Sequence, residues 1–159
     1  MIRSFTLIGN LFPQFLVLCF LTFFINFEKG AYLSSVWFFG YATNLFLKNA
    51  IRKPRPNKEN AKVKVKGYSM PSGHAFMSTV FFYSLVYFFD FSFPLQIIFL
   101  LIPIFLGLSR LYLKVHDIWD ILSAWGFAGL YIYFISPLTF EVCKHTLFLL
   151  SKVKNIFIY

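Results

Sequence analysis

Long apolar stretches separated by short polar segments fill most of this chain. A helix needs about 20 predominantly apolar residues to cross the hydrocarbon core of a bilayer. By that measure the pattern predicts five membrane-spanning helices, and the tail after Pro137 is predicted to be an interfacial amphipathic helix, with a weak sixth span as the alternative. The predicted spans are Phe5–Phe27, Ala31–Leu47, Pro71–Phe89, Leu95–Leu113 and Ile118–Ile135.

The segments between these spans differ in length and charge. Glu28–Gly30 and Asp90–Pro94 are short and predict tight turns between antiparallel neighbours, whereas Lys48–Met70 is long and polar. Long loops of this kind commonly carry function. Because successive spans alternate in direction, this loop, the start of the third span and the junction of the fourth and fifth are expected on one membrane face.

Composition agrees with a membrane protein. Of the 159 residues, 58% are hydrophobic and 24 are Phe, whereas a soluble domain is roughly 45–50% apolar. The length suits one domain and the apolar runs leave no room for a separate soluble module. We therefore predict that residues 1–159 form a single all-α membrane-embedded domain, a bundle of five to six transmembrane helices with a basic extramembrane loop between the second and third.

Positive charge is concentrated in that loop. The net charge of the chain is +9, and such a cluster attracts phosphate, lipid headgroups or an anionic membrane surface, although positive loops beside spans are also ordinary. The expected partners are the bilayer and an anionic lipid; nothing indicates nucleic acid or an obligate protein partner. The clustered cations are Lys48, Arg52, Lys53, Arg55, Lys58, Lys62, Lys64 and Lys66.

The motif KNAIRKPRP ends the second predicted span. Lys48 falls in the last helical turn, where the helix dipole favours a cation, and Arg55 follows in a segment that proline keeps extended. An ammonium and a guanidinium fork are together well suited to hold phosphate oxygens. Arg52 and Lys53 are interpreted as ordinary loop cations.

The motif PSGH begins the third predicted span. Ser72 is a good N-cap residue, and Gly73 lets a ligand approach the backbone closely. The free N–H groups of a helix start bind anions readily, and His74 would stand beside such an anion. A lone His at a helix start is, however, more often structural.

The motif SRLYLKVHDIWD joins the fourth and fifth predicted spans. Arg110 closes the fourth, and His116 lies four residues before Asp120, so that on a helix the two side chains would share a face. A carboxylate that holds one imidazole nitrogen leaves the other free to attack or to accept a proton. The alternative is a pair that only orients the helix.

The three motifs lie on one predicted face and together offer what phosphoryl transfer needs. They supply cationic donors, a helix N-terminus, an activated nucleophile and a second histidine. No Asp/Glu/His arrangement in the sequence suggests a two-metal phosphatase. We therefore expect chemistry without a metal or other cofactor.

The same residues resemble the type 2 phosphatidic acid phosphatase superfamily. The pattern of that family is Lys, six residues, Arg-Pro; Pro-Ser-Gly-His; and Ser-Arg, five residues, His, three residues, Asp. Here Lys48, Arg55-Pro56, Pro71–His74, Ser109-Arg110, His116 and Asp120 match every position and spacing. The motifs span about half of the chain.

The resemblance implies a role for each matched residue. His116 would be the nucleophile that forms a phosphohistidine, Asp120 would orient it, and His74 would protonate the leaving alkoxide and later help activate water. The phosphoryl oxygens would be held by Lys48, Arg55, Ser72, Gly73 and Arg110.

The substrate is expected to be a lipid, since no soluble domain covers the catalytic face. Candidates by resemblance are the 1-phosphate of lipid A, phosphatidylglycerol phosphate, phosphatidic acid and undecaprenyl diphosphate. Lys62, Lys64 and Lys66 alternate with two valines, so an extended segment would place three amines on one side. This row would suit a highly charged headgroup such as lipid A, and the compact chain also resembles a bacterial lipid A 1-phosphatase. The alternative is a solvated, charged edge.

Sidedness, localisation and reaction class remain open at this point. The excess of Lys and Arg on the catalytic face points to the cytoplasm, whereas the resemblance favours the periplasmic face of a bacterial inner membrane, and we adopt the latter. A phosphotransferase would use the same His116. A channel, transporter or assembly factor with a basic loop is the non-enzymatic alternative.

Overall fold

All regular secondary structure that the computed structural model describes, in residues 10–56, 62–63 and 65–157, is helical. Two short π-helical turns interrupt it: Leu21–Ile25 extends the first helix, and Tyr131–Ile135 joins the fifth to the sixth. The helices are α1 Leu11–Phe20, α2 Phe27–Ile51, α3 Gly73–Phe88, α4 Phe93–Tyr112, α5 Ile118–Leu130 and α6 Ser136–Phe157.

The connection between α1 and α2 is a single extended residue, Asn26. Its side chain accepts a hydrogen bond from the backbone N–H of Lys29 at 2.8 Å and caps α2, while Glu28 lies in the first turn, where the helix dipole favours an acid. The prediction of a turn at Glu28–Gly30 is therefore wrong, because the asparagine cap starts the helix earlier. The predicted beginning of the first span, Phe5, lies outside the described residues.

The tail is a direct continuation of α5. The helix passes through the π-helical turn Tyr131–Ile135 into α6 without a break, so the tail does not form the separate interfacial helix that the sequence favoured. Pro137 follows that turn as the second residue of α6, and the hydroxyl of Ser136 donates to the carbonyl of Ile132 at 2.9 Å. A proline is tolerated in the first turn of a helix, so it does not end this one.

Two of the described helices are long and apolar enough to cross a membrane, Phe93–Tyr112 and the continuous helix over Ile118–Leu150. The stretch Leu11–Ile25 is apolar but shorter. Many large apolar side chains of these helices point outward, Phe12, Phe23 and Phe105 among them. The predicted number of five to six spans stays a prediction.

Helix α3 lies at the centre of the bundle and packs against α2, α4 and α5. Every residue from Ala75 to Phe82 is buried, as are Ser84 and Leu85. One core cluster joins α3 to α2 and α5 around Phe76 and Tyr131, and a second joins it to α1, α2 and α4 around Phe82. The hydroxyl of Tyr131 donates to the carbonyl of Val36 at 2.6 Å, which satisfies a buried polar group. This packing fixes the start of α3, where PSGH lies.

Candidate active site

His116 and Asp120 form a buried hydrogen-bonded pair. His116 Nδ1 lies 3.1 Å from Asp120 Oδ2, and the Asp120 side chain is fully buried. His116 precedes α5 and is not part of it, because Asp117 is the N-cap of that helix. Asp117 and Asp120 form a capping box in which each side chain accepts from the other residue's backbone N–H. The cap, rather than a shared helical face, brings the predicted pair together.

Arg55 approaches the other nitrogen of His116. Its Nη1 lies 3.3 Å from His116 Nε2 and 3.1 Å from the carbonyl of Val115. Carbonyls of Gly67 and Lys66 accept from Nε and Nη2 at 3.0 and 3.1 Å and hold the guanidinium in place. A guanidinium can only donate, so Nε2 accepts and carries its lone pair, and the proton of the neutral ring lies on Nδ1.

The second oxygen of Asp120 is bound by residues that the sequence analysis did not assign to the site. Lys53 Nζ lies 2.9 Å from Asp120 Oδ1 and 2.6 Å from Asp117 Oδ2. The hydroxyl of Ser69 donates to Asp120 Oδ1 at 3.3 Å. No spacing rule connects a loop lysine with acids more than sixty residues later, so the path of the loop had to be known first.

Burial and charged partners shift the pKa values of His116, Arg55 and Lys53. Burial lowers the pKa of His116 below its ordinary value, more than the hydrogen bond to Asp120 raises it, so the ring is neutral at neutral pH. Burial also lowers the pKa of the Arg55 guanidinium, which nevertheless stays charged at neutral pH. For Lys53 burial is outweighed by its two carboxylate partners, which raise its pKa.

The start of α3 forms a cradle with the end of α2. Lys48 Nζ donates to the carbonyl of Pro71 at 2.7 Å and to that of Tyr68 at 3.1 Å, which places the ammonium beside Ser72 and Gly73. The backbone N–H of Ser72 donates to the carbonyl of Asp120 at 3.0 Å, and its hydroxyl is buried without a hydrogen-bond partner. Ser72 is the N-cap residue, as predicted, but its side chain makes no capping bond.

Asn44 lies in the same cradle and was not assigned by the sequence analysis. It is buried one helical turn before Lys48, and its Oδ1 would lie 3.4 Å from a Cβ atom built on Gly73. Its Nδ2 has no hydrogen-bond partner. The position i−4 from Lys48 was the available signal, because it places both side chains on one face of α2.

His74 and Arg110 complete the set of predicted residues. The cations Arg110 and Lys48 act on the His74 ring, so these groups lie within electrostatic range of one another. His74 Nε2 lies 2.7 Å from Asn10 Oδ1, and because an amide oxygen only accepts, the hydrogen lies on Nε2. Arg110 is buried, and its Nε has no partner.

The predicted row of headgroup lysines is described in part, because Lys64 lies outside the described residues. Lys62 Nζ lies 3.4 Å from the ring centroid of Tyr112, a cation–π contact. Lys66 is exposed, and its carbonyl accepts from Arg55. Val65 is also exposed, at 41%, whereas Val63 is half-buried, so the two valines that alternate with the lysines are not equally covered. A role in headgroup binding stays a prediction.

The arrangement combines a lone pair on a buried imidazole with buried polar groups that have no hydrogen-bond partner, namely Asn44 Nδ2, Ser72 Oγ and Arg110 Nε. His116 Nε2 faces Arg55, and the N–H groups at the start of α3 lie beside Lys48. A tetrahedral anion between these groups would be held by charge-assisted hydrogen bonds. Within the described ranges, no three His, Cys, Asp or Glu side chains lie close enough together to form a metal site.

Comparisons with known proteins show the family of this chain. The family model of the PAP2 superfamily matches residues 29–142, a range that includes all three motifs. The structure resembles the crystal structure of a transmembrane PAP2-type phosphatidylglycerolphosphate phosphatase from Bacillus subtilis, with a TM-score of 0.63 and 25% sequence identity, covering 91% of this chain and 74% of that one. Among curated proteins none matches this sequence. The chain belongs to the PAP2 superfamily, a family of phosphatases.

Proposed function

We propose that this protein is a lipid phosphatase that works without a metal and transfers the phosphoryl group first to His116 and then to water. One observation carries the proposal: His116 Nε2 accepts from Arg55 while Nδ1 donates to buried Asp120. This arrangement supplies a nucleophile of the correct tautomer beside a phosphate-binding cation.

In the first step His116 Nε2 attacks phosphorus and the bond from phosphorus to the lipid oxygen breaks. The Nδ1–H bond to Asp120 stabilises the positive charge that develops on the ring. The leaving alkoxide takes the Nδ1 proton of His74, which enters this step as an imidazolium with Nε2–H held by Asn10 and leaves it as a neutral ring. The products of this step are a phosphohistidine and the dephosphorylated lipid alcohol.

In the second step water attacks the phosphohistidine, and His74, now without its proton, accepts one from that water. The bond from phosphorus to nitrogen breaks, which releases inorganic phosphate and restores the lone pair of His116. Throughout, the phosphoryl oxygens would be bound by Lys48, Arg55 and Arg110 and by the N-terminus of α3 at Ser72 and Gly73.

We propose phosphatidylglycerol phosphate as one substrate, because the structural relative is a phosphatase of that lipid. The 1-phosphate of lipid A is the second candidate, favoured by the basic segment that contains Lys62, Lys64 and Lys66. These lipids differ in headgroup charge, so the triple change of the three lysines to Gln separates them. It should lower turnover of lipid A and leave that of phosphatidylglycerol phosphate nearly unchanged.

We further propose that the protein resides in a bacterial inner membrane with its active site on the periplasmic face. The apolar helices and the transmembrane relative support a membrane location. Labelling tests the sidedness: Cys19 and Cys143 are replaced by Ser, and a cysteine is introduced by Asn57→Cys. A membrane-impermeant maleimide added to intact spheroplasts should label this variant, and labelling only after lysis would refute the periplasmic assignment.

The decisive experiment measures phosphate release by the purified protein in detergent with EDTA present. The panel contains phosphatidylglycerol phosphate, lipid A and undecaprenyl diphosphate, and the His116→Ala variant is assayed in parallel. Release from one lipid that withstands chelation and disappears in the variant would establish the proposed reaction. Loss of lipid phosphate without free phosphate, together with a newly phosphorylated lipid acceptor, would instead identify a phosphotransferase.

Activity that survives His116→Ala would contradict the phosphohistidine mechanism. If the folded protein releases no phosphate from any lipid and transfers none to an acceptor, the enzymatic proposal fails and a channel, transporter or assembly factor remains.

A further inference from the structure

Lys53 lies between the two acids that begin α5. Its Nζ is 2.6 Å from Asp117 Oδ2 and 2.9 Å from Asp120 Oδ1, and its side chain is only 28% exposed. Asp120 is fully buried. An ion pair with a buried partner is held in a defined geometry and responds strongly to loss of either member. Lys53 is thus unlike the neighbouring Arg52, which is the C-cap residue of α2, is exposed and donates to the carbonyl of Asn49.

Ser69 joins the same network from the far end of the loop. Its backbone N–H donates to the carbonyl of Lys53 at 2.9 Å, and its hydroxyl lies 3.0 Å from the carbonyl of Pro54 and 3.3 Å from Asp120 Oδ1. Ser69 is fully buried. The loop segment that carries Lys53 is therefore bound both to Asp120 and to the segment that precedes α3.

The two oxygens of Asp120 consequently serve different partners. Oδ2 accepts from His116 Nδ1, whereas Oδ1 accepts from Lys53 and Ser69. We propose that Lys53 is a positioning residue that divides the charge of Asp120 between itself and His116, and so keeps His116 as a neutral ring with its lone pair on Nε2. This inference rests on the proposed role of His116 as nucleophile.

Other charged groups surround His116. Arg55 in the loop, Lys48 on α2 and Asp120 on α5 act on its ring directly, and His74 on α3 lies within electrostatic range of it. Arg110 on α4 acts on His74, and Asp117 caps α5 beside Asp120. The nearby cations disfavour a protonated imidazole, and Asp120 favours it. Lys53 contributes in two ways, because it repels a proton on His116 and engages the carboxylate that would attract one.

Removal of the Lys53 charge therefore has a defined sign. Without it, His116 is the remaining cationic partner that Asp120 can take when the ring is protonated, so Asp120 stabilises the imidazolium more strongly and the pKa of His116 should rise. An imidazolium has no lone pair and cannot attack phosphorus. Activity should fall at low pH and recover in part as the pH increases.

The test compares Lys53→Met with Lys53→Arg, which restores the charge, and with Arg52→Met, which makes the same charge change one residue away. The pH profile of kcat/KM for phosphate release is measured for each full-length protein in detergent. The histidine titrations are followed by NMR of ring-labelled protein, with signals assigned through His74→Gln, His116→Gln and His145→Gln. Thermal unfolding and size-exclusion chromatography check the fold.

We expect Lys53→Met to lower kcat/KM at neutral pH about 10- to 100-fold, the range typical for loss of an outer partner of an active-site group. The acid limb of the Lys53→Met profile should move to higher pH. Lys53→Arg should restore most of the lost kcat/KM and most of the shift in the acid limb, and Arg52→Met should change neither quantity. If the acid limb and the His116 titration of Lys53→Met lie at the same pH as those of Arg52→Met, the inference is wrong.

The experiment also separates this inference from the proposed function. Should the wild-type protein release no phosphate, the proposed function fails, while the NMR titration still decides whether Lys53 controls the protonation of His116. Should the wild type be active and Lys53→Met match Arg52→Met in every readout, the proposed function stands and the role of Lys53 is refuted.

Discussion

Replacement of Asp120 by Asn tests how the carboxylate fixes His116. Asp120 presents two acceptor oxygens: Oδ2 binds His116 Nδ1 at 3.1 Å and the backbone N–H of Asp117 at 3.2 Å, and Oδ1 binds Lys53 at 2.9 Å. An amide has one acceptor oxygen and one donor group. It cannot serve both sides, so one of them must change.

The charge on Lys53 decides the orientation of the introduced amide. A hydrogen bond to an ammonium is roughly twice as strong as one between neutral groups, so the amide oxygen should face Lys53 and the NH₂ group should face His116. Nδ1 must then accept, the ring proton moves to Nε2, and the attacking lone pair is lost. The same tautomer error in a serine protease triad costs about 10⁴-fold in kcat, which corresponds to about 5 kcal/mol in the barrier.

The assay is single-turnover phosphate release by the purified variant, with trapping of the phosphohistidine on denatured protein. Asp117→Asn is the matched control, since it removes one charge from the same ion-pair cluster and leaves the bond between Asp120 and His116 in place. We expect the control to lose less than about tenfold. If Asp120→Asn stayed within about tenfold of this control while both remained folded, the assigned tautomer role would be refuted.

Three further predictions concern other contacts of the described residues. Because burial lowers the pKa of His116, the ring loses its proton already below pH 6.5, so the acid limb of kcat/KM should lie below that value; a limb above pH 7 would contradict the assignment. Asn10→Leu removes the acceptor of His74 Nε2–H and should slow phosphate release from lipid substrates about 10- to 100-fold. Hydrolysis of p-nitrophenyl phosphate, whose leaving group needs no proton, should be nearly unaffected. Equal losses on both substrates would argue against a role of Asn10 in proton donation by His74. Gly30→Ala places a Cβ against the backbone of the preceding helix and should destabilise the fold by about 1–3 kcal/mol in thermal unfolding. Gly126→Ala is the control, because a Cβ there has nothing within 4 Å and should not destabilise the fold. Equal unfolding temperatures of the two variants would contradict the described packing of Gly30.

The parts of the site that the sequence predicted are those encoded by short spacing. The four-residue step from His116 to Asp120, the position of Lys48 in the last turn of α2, and Ser72 as the N-cap residue of α3 all appear in the structure. Local rules of helix position and capping are sufficient for Lys48 and Ser72, whereas His116 meets Asp120 through the capping box of α5 and not through a shared helical face. A resemblance in motif order supplied the roles, which remain proposals.

The parts that were missed depend on how distant segments meet. Asn10 reaches His74 across 64 positions, and Lys53 reaches Asp120 across 67. Neither separation follows a helical or extended period, so only the packed bundle reveals it. Asn44 differs, because its step of four from Lys48 was visible, but a polar residue in an apolar helix gives no indication of which ligand it faces.

Hydropathy located the helices better than it located their ends. Apolar content predicted a helix before Asn26 and another after it. The turn between them was predicted to begin two residues too late, at Glu28, because the Asn26 cap starts the second helix despite the polar residues of Glu28–Gly30. The tail was misjudged for a related reason. Pro137 signals a break in an isolated sequence, whereas in the structure it lies where a helical turn can accommodate it.

Asp120 also contributes its backbone carbonyl, which accepts from the N–H of Ser72. One residue thereby links His116, the proposed nucleophile, to the cradle at the start of α3, and hydrogen bonds made by that residue set the distance between them. This fixed distance should limit the size of the group that can be transferred. The protein should accept wide variation in the alcohol that leaves, since that part of the substrate does not have to fit between His116 and the start of α3. It should discriminate sharply against a larger transferred group, such as a phosphorothioate.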